Sequence, residues 1–225
     1  MRLTTTVLTL ASTATALAHP RSTSPSCNDT TAPTTTSPPV TAAQYDGHCF
    51  YPVPDPKFNL HNYLGTWYQV AGTPFGPTAG ARCVTANYQL FDNNTVRVEN
   101  IAAAGPSTFS IVGTGTAADM AYGTAGVFEV NFPSAGPPGQ GGLTSGSGGA
   151  EEDDCPGPNY IVQDYAIDWA IVQTQRWNTL YILSRVREPS AESIQAWIDR
   201  AVEFGSNRTM IQLYNQTGCE GIGPM

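Results

Sequence analysis

The chain is organised around one stretch, Asn59-Leu60-His61-Asn62-Tyr63-Leu64-Gly65-Thr66-Trp67-Tyr68-Gln69-Val70-Ala71. A short polar lead-in runs into a glycine and a tryptophan, and then into a strand that alternates bulky and small residues. Gly65 permits unusual backbone angles or a close approach where the chain enters the strand. Trp67 is large enough to plug the end of a small barrel, and its indole N–H then needs an acceptor. A tryptophan at the start of a strand can also be an ordinary core residue, and only the sequence downstream distinguishes the two interpretations.

Composition restricts the partners of the chain. Only 12% of its 225 residues are charged, and 10 Lys and Arg against 18 Asp and Glu give a net charge of -8. Nucleic acids and anionic membrane surfaces attract basic patches, so the acidic balance argues against both. The length allows one domain with tails or two small domains.

Residues 1–18 are typical of a signal peptide. Arg2 supplies the basic start, a short apolar run follows, and Ala16-Leu17-Ala18 fits the small-x-small cleavage rule. The run is too short to span a bilayer, and the tail at 220–225 has no apolar lipid-anchor signal. We therefore expect a secreted, extracellular protein that has no membrane span and starts near His19.

Secretion would place the cysteines in an oxidising setting. There are five, so one is free, paired with another chain, or located in a processed segment. No Cys-x-x-Cys is present, which removes the usual zinc and redox spacings. In a secreted protein each Asn-x-Ser/Thr sequon predicts a surface position open to glycosylation, and these lie at Asn28, Asn93, Asn207 and Asn215.

Three segments differ in composition from a folded core. Residues 19–44 are rich in Thr, Ser and Pro, so they cannot bury enough apolar surface to offset ordering entropy, and we predict disorder. Residues 45–58 are expected to form an extended arm, tethered by Cys49, whose prolines exclude ladder pairing. Residues 133–158 combine Gly, Pro and Ser with an acidic run and predict a flexible insertion.

The rest of the chain, 59–219, predicts an all-β domain. Short strands follow one another with turn residues and no intervening helices, and eight in a row favour an antiparallel up-and-down β-barrel. We predict strands at Gly65–Thr73, Cys83–Phe91, Val96–Ile101, Thr108–Thr116, Gly126–Phe132, Tyr160–Ile167, Trp169–Gln175 and Thr179–Arg185, with a short last strand within Met210–Leu213.

Alternation assigns the inner face of the barrel. The expected inward sets are Trp67, Gln69 and Ala71; Ala86, Tyr88 and Leu90; Phe128, Val130 and Phe132; and Tyr181, Leu183 and Arg185. An arginine in phase with apolar residues needs a ring face or backbone carbonyls as partners. One helix is predicted from Ser190 to Phe204, capped by Ser190 and Gly205, and its apolar stripe should pack outside the barrel.

Patterns that carry catalysis or bind metals are missing. His19, His48 and His61 lack metal-ligand spacing, and there is no Gly-x-Ser-x-Gly elbow. Gly113-Thr114-Gly115 lacks the third glycine of a dinucleotide site, and Glu151–Asp154 lacks the alternating oxygen ligands of a calcium loop. We expect no catalytic residue, no metal and no cofactor, and hence no enzyme.

Three local patterns, in order along the chain, resemble the lipocalin family. Gly65-Thr66-Trp67-Tyr68 opens the first strand, Asp164-Tyr165 closes the sixth, and Arg185 follows the apolar end of the eighth. The run Arg82-Cys83-Val84-Thr85-Ala86-Asn87-Tyr88 is also similar to the second strand of apolipoprotein D-like members. The resemblance covers about residues 58–219.

The resemblance implies a calyx that is closed at Trp67, with Arg185 lying across that tryptophan. It also implies a disulfide between Cys83 and Cys219. The arm cysteine, Cys49, has no partner in the seventh strand, so Cys155 is the favoured substitute; Cys27–Cys155 with Cys49 free is the alternative.

The function expected from the resemblance is carriage of a small hydrophobic molecule, such as a lipid, sterol, retinoid-like compound or pigment, by a monomer. The residues expected to line the pocket are Gln69, Tyr88, Phe132, Tyr160 and Tyr181, whereas Gly65, Trp67, Asp164, Tyr165 and Arg185 are expected to be structural. Two alternatives stay open: an isomerase-like enzyme on the same scaffold, and a protein-binding or inhibitory protein whose barrel is filled. Haem would need an axial ligand that the sequence does not show.

Overall fold

The computed structural model describes residues 41–74, 80–132 and 155–223. The expectations for the signal peptide, for Cys27 and Asn28, and for most of the insertion at 133–158 concern residues outside these ranges. The helices are α1 (Leu60–Tyr63) and α2 (Ala191–Glu203). The strands are β1 (Ala43–Tyr45), β2 (Phe50–Pro52), β3 (Gly65–Gly72), β4 (Arg82–Leu90), β5 (Val96–Ala104), β6 (Ser107–Ala117), β7 (Val127–Asn131), β8 (Tyr160–Tyr165), β9 (Trp169–Gln173), β10 (Leu180–Ser184) and β11 (Gln212–Leu213).

Strands β3 to β10 form a closed antiparallel barrel. Each pairs with the next along the chain, and β10 pairs back onto β3, so that this barrel has no free edge. The predicted eight-stranded up-and-down barrel is confirmed. Its inner cluster includes Trp67, Ala86, Tyr88, Val98, Val130, Tyr160 and Leu183, which are all buried. Period-two alternation therefore assigned most of the inner face correctly.

Helix α2 covers the outside of the barrel. Ser190 caps it by accepting a hydrogen bond from the Ser193 backbone N–H, and Gly205 follows its end with a φ of +104°. Its apolar stripe packs against outward residues of three strands, which include Val70, Ile171 and Ile182. A 2.7 Å ion pair between Arg200 and Asp164 adds a polar tie between the helix and β8.

The inner face of β3 is shorter than alternation predicts. Gln69 pairs with Leu183, but the register then shifts by one residue, so that Ala71 pairs with Ile182. Ala71 consequently packs beside Val70 in the outer cluster under α2. The prediction that Ala71 shares a face with Trp67 and Gln69 is wrong, because a bulge turns the strand between Gln69 and Ala71.

The arm is more ordered than the sequence indicated. Ala43–Tyr45, which overlaps the segment expected to be disordered, pairs with Phe50–Pro52. This corrects the expectation that prolines exclude ladder pairing here: a two-stranded ribbon asks each strand to pair on one side only, which proline tolerates. Cys49 is joined to Cys155 by a disulfide.

The C-terminal segment fills a gap between β3 and β4. These two strands pair only from Gly65–Tyr88 to Tyr68–Thr85 and then separate. Beyond that point β11 pairs with β3, and the buried Gln216 amide donates 2.8 Å hydrogen bonds to the carbonyls of both Gln69 and Val84. A second disulfide, Cys83–Cys219, fastens the segment to β4. The barrel wall is thus completed by a side chain.

Candidate functional site

One end of the barrel is closed by Trp67 and Arg185. The fully buried indole donates its N–H to the Tyr63 carbonyl at 2.7 Å, and the guanidinium carbon of Arg185 lies 3.7 Å from the centre of the Trp67 rings. The same guanidinium donates hydrogen bonds of 2.7–2.8 Å to the carbonyls of Thr66, Leu64 and Asn62. Partial burial lowers the pKa of Arg185. The Trp67 rings thus close this end of the barrel, and the Arg185 guanidinium covers them; we call this pair the plug.

The other residues expected to be structural lie around this plug. Gly65 has a φ of +90°, a backbone angle that residues with a side chain rarely adopt. A Cβ atom at this position would lie 3.6 Å from Nη1 of Arg185. Tyr165 packs against Phe58 and Tyr63. Asp164 was expected to shape the adjoining turn; it accepts from the Tyr165 backbone N–H and also binds Arg200 of α2.

Inside the barrel, three tyrosine hydroxyls meet. The Tyr160 oxygen lies 2.6 Å from that of Tyr63 and 2.8 Å from that of Tyr88, and all three residues are buried. We call Tyr63, Tyr88 and Tyr160 the tyrosine triad. They come from α1, β4 and β8, so the triad exists only when the barrel is closed.

Burial sets the protonation state of the triad. Desolvation raises the pKa of Tyr88 to about 12 and raises the pKa values of Tyr63 and Tyr160 well above the usual range. At neutral pH all three are therefore phenols, and they act as hydrogen-bond donors rather than as bases.

The triad borders a small apolar cavity. Its volume is about 20 Å³, and its wall also includes Val98, Gly115 and Val130. A space of roughly 10–15 Å³ or more holds one water-sized group. The part of the interior next to the triad is therefore packed down to the size of a single polar atom.

Tyr181 and Gln69 extend the site away from the plug. The Tyr181 ring stacks on Tyr160 with centres 6.4 Å apart, and Tyr181 pairs across the ladder with Gly72. The Gln69 amide nitrogen lies where a side chain on Gly72 would sit, 2.9 Å from the ideal Cβ position. Gln69 is only 4% exposed, and its Nε2 has no acceptor in the described structure. Tyr181 is half-buried although it faces inwards, and desolvation of its hydroxyl raises its pKa above the usual value.

Phe132 completes the set of expected pocket residues. It follows the end of β7, is half-buried, and lies over Gly113 of β6, where a methyl group would meet its ring at 2.6 Å. The five expected residues thus lie along one inner surface, but their side chains already touch one another in places. Sequence reasoning missed Tyr63, because nothing in the polar run before Gly65 shows that α1 turns this ring into the barrel.

A second apolar pocket lies at the plugged end. Its volume is about 230 Å³, and it lies between Phe58–Leu60 and the hairpin that joins β6 to β7. It shares Leu60 and Phe128 with the small cavity beside the triad. Neither Gln69 nor Tyr181 lines this pocket, so it is separate from the part of the interior that those two residues border.

Other chemistry is sparse among residues 41–74, 80–132 and 155–223. No group of three or more His, Cys, Asp and Glu side chains is arranged to hold a metal. No helix in this part of the chain is long and apolar enough to cross a membrane. Asn93, Asn207 and Asn215 are exposed, and each Oδ1 accepts from the backbone N–H of the Thr two residues later.

Comparison with known proteins agrees with this geometry. The lipocalin-like domain family matches residues 58–139. Apolipoprotein D of Oryctolagus cuniculus is 37% identical over 54 residues, which are 24% of this chain and 28% of the relative. Apolipoprotein D of Rattus norvegicus is 32% identical over 92 residues, which are 41% of this chain and 48% of the relative. The chain thus matches about a quarter to a half of the length of these relatives.

Solved structures share the fold at low sequence identity. Insecticyanin of the tobacco hornworm Manduca sexta superimposes with a TM-score of 0.54 at 17% identity, over 76% of this chain and 87% of that one. The cockroach allergen Per a 4 gives 0.53 at 14% identity, over 78% and 99%. By its sequence match, by the plug of Trp67 and Arg185 and by its shared fold, the barrel domain is similar to lipocalin-like domains and to apolipoprotein D.

Proposed function

We propose that this protein is a secreted carrier that binds a small hydrophobic molecule within its barrel. The observation that carries the proposal is the Gln69 amide: a buried, inward-facing donor without an acceptor. An unsatisfied buried donor costs about 1–3 kcal/mol, so a ligand that brings an acceptor to this position recovers that energy.

Apolar contact supplies the rest of the binding energy. Burial of apolar ligand surface contributes roughly 25 cal/mol per Å². In our proposal Tyr181 and Phe132 contact the ligand body, Gln69 provides a polar contact, and Tyr88 and Tyr160 form the inner end of the site. Fatty acids, sterols, retinoid-like molecules and pigments all fit this chemistry, and no cofactor is required.

The extracellular assignment rests on two supports. The first 18 residues have a signal-peptide pattern, and two disulfides tie the arm and the C-terminal segment to the barrel. We further propose that the exposed sequon asparagines carry glycans and that the carrier is a monomer.

The first experiment is native mass spectrometry of the protein purified from its own secretions. We expect a co-purifying apolar molecule. The second is titration with retinol, followed by quenching of tryptophan fluorescence. Gln69→Leu should weaken binding about fivefold, as loss of one net hydrogen bond does, and should leave the free energy of unfolding unchanged or higher. Gln195→Leu, on the exposed face of α2, is the matched control. Absence of any bound molecule, together with no quenching by a panel of lipids and pigments, would contradict the carrier proposal.

One observation favours a second candidate, a protein-binding function with a filled barrel. The interior beside the triad leaves only about 20 Å³. In that case Gln69→Leu would stabilise the fold, and no lipid or pigment would bind. The enzyme alternative has no such support, since Cys83 is held in a disulfide.

A further inference from the structure

The disulfide of the arm has a positive charge beside one of its two sulfurs. Nη2 of Arg176 lies 3.1 Å from Sγ of Cys49, which is bonded to Cys155. A neighbouring cation stabilises a thiolate, and thiol–disulfide exchange is faster when the departing thiolate is the better stabilised one. If another thiol breaks this bond, Cys49 is therefore the sulfur that leaves more readily.

The backbone holds Arg176 in an unfavourable conformation at this place. Arg176 has a φ of +54° and Trp177 one of +55°, so two consecutive residues with large side chains lie in the left-handed region. The turn is fixed by hydrogen bonds from the backbone N–H groups of Trp177 and Asn178 to the carbonyls of Thr174 and Gln175. Such strain persists where the surroundings enforce it, which is common at functional sites.

Access determines which of the two sulfurs an incoming thiol attacks. Cys49 is only 1% exposed and belongs to a buried cluster with Tyr51, Val127 and Ile161. Cys155 is half-buried and packs at the border of that cluster. An incoming thiol therefore reaches Cys155 first. Access and charge favour the same direction, which is attack on Cys155 and departure of Cys49.

A carboxylate also contacts Cys49 but does not cancel the effect of the guanidinium. Asp46 accepts hydrogen bonds from the backbone N–H groups of Cys49 and His48, each at 2.8 Å, and from the Tyr122 hydroxyl at 2.8 Å. These donors offset the negative charge of Asp46, whereas Arg176 contacts the Cys49 sulfur itself.

The second disulfide shares the charge but not the access. Nη1 of Arg82 lies 3.3 Å from Sγ of Cys83. Cys83 and its partner Cys219 are both 0% exposed, so neither sulfur can be reached without local opening of the fold. This pair is therefore an internal control that separates accessibility from the presence of a neighbouring arginine.

We propose that Cys155 is a modification site for small thiols, and that Arg176 promotes the exchange by stabilising the departing Cys49 thiolate. The incoming thiolate attacks Sγ of Cys155, and a new S–S bond forms between them. The Cys49–Cys155 bond breaks, and Cys49 leaves with its electron pair and then takes up a proton. One disulfide replaces another, so no oxidant is needed, and the co-reactant is a low-molecular-weight thiol such as glutathione. The arm is then no longer covalently tied to Cys155.

The experiment treats the full chain with 2-mercaptoethanol, in a Cys27→Ser background so that the fifth cysteine cannot take part. Samples are quenched with acid, free thiols are blocked with N-ethylmaleimide, and peptide mass spectrometry locates both labels. The early product should carry the mercaptoethanol adduct on Cys155 and the maleimide on Cys49. The Cys83–Cys219 bond should react at least about tenfold more slowly, because exchange depends on access to the sulfur.

Three arginine variants test the role of the charge. Arg176→Asn removes it and suits the left-handed backbone, and it should slow the exchange roughly fivefold. Arg176→Lys keeps the charge and should recover most of the rate. Arg208→Asn, which removes an exposed charge paired with Asp199, should leave the rate unchanged. Loss of structure would expose the disulfide and speed the exchange, so a slower reaction cannot come from misfolding.

Three results would overturn the proposal. An early adduct on Cys49 would reverse the direction of attack. Equal rates for the two disulfides would mean that exchange requires opening of the whole fold. A rate in Arg176→Asn equal to or above that of the parent protein would show that the guanidinium does not assist the departure of Cys49.

Discussion

Arg185 covers Trp67 with its guanidinium carbon 3.7 Å from the ring centre, and this pair links the end of β10 to β3 and to helix α1. The hydrogen bonds of Arg185 reach backward to Asn62, Leu64 and Thr66, which join α1 to β3. The Trp67 N–H in turn binds the Tyr63 carbonyl. The plug is therefore a backbone clamp as well as a ring contact.

Substitution of Arg185 should destabilise the fold severely. Arg185→Ala leaves three carbonyls without their charged donor, and we expect the free energy of unfolding to fall by about 3 kcal/mol. Arg185→Lys should recover little, since an ammonium cannot lie flat on the indole and serve three acceptors. Urea denaturation measures both variants.

The matched control is Arg97→Ala. Arg97 pairs with Glu99 on the barrel surface at 2.8 Å. Such pairs contribute about 0–1 kcal/mol, so the control should unfold nearly as the wild type does. If Arg185→Ala unfolds at the same urea concentration as Arg97→Ala, the clamp is not a source of stability.

The disulfides should appear in a non-reduced peptide map as Cys49–Cys155 and Cys83–Cys219. The double variant Cys83→Ser, Cys219→Ser should lose about 2–5 kcal/mol of stability. A map that shows Cys27 bonded to Cys155 would replace the first pairing, and a map without the Cys83–Cys219 link would refute the second.

Alkaline pH should unfold the protein through the tyrosine triad. Desolvation raises the pKa of Tyr88 to about 12 and raises those of Tyr63 and Tyr160 well above the value of about 10 for an unfolded chain. The unfolded state therefore loses protons first. The stability is complete below about pH 10 and declines as the pH rises above it.

The measurement is urea unfolding at a series of pH values up to about 11. It compares the wild type with the triple variant Tyr63→Phe, Tyr88→Phe, Tyr160→Phe, which lacks the three triad hydroxyls. The wild type should show a steep loss of stability above about pH 10, and the variant a much shallower one. Parallel curves would mean that the triad hydroxyls reach solvent in the folded protein.

The buried Gln216 should contribute more to stability than a glutamine on the surface does. Its side chain supplies both hydrogen bonds to Gln69 and Val84 where β3 and β4 part. Gln216→Leu leaves two buried carbonyls unpaired, and each costs about 1–3 kcal/mol. Gln195→Leu is again the control. Hydrogen exchange should show loss of protection in β3 and β4 in the first variant only; unchanged protection would contradict this role.

The sequence predicted the barrel well because local alternation reports which face of a strand is buried. The strands that begin near Gly65, Val96, Tyr160 and Thr179 were placed within three residues at their ends. The same alternation could not show the bulge before Ala71, which depends on the register of β10. Nor could it show that Tyr63 enters the interior, since four helical residues in a polar run carry no detectable period. These features depend on contacts between distant parts of the chain.

The position of Gln216 in the chain also determines when the barrel can close during synthesis. Strands β3 and β4 are synthesised early, but the amide that bridges them comes about 130 residues after Thr85 along the polypeptide. A nascent chain on the ribosome can form hairpins while it emerges, but the wall between these two strands must wait for nearly the whole polypeptide. Until then the partly built barrel exposes apolar surface along one side, and we expect chaperones to bind there.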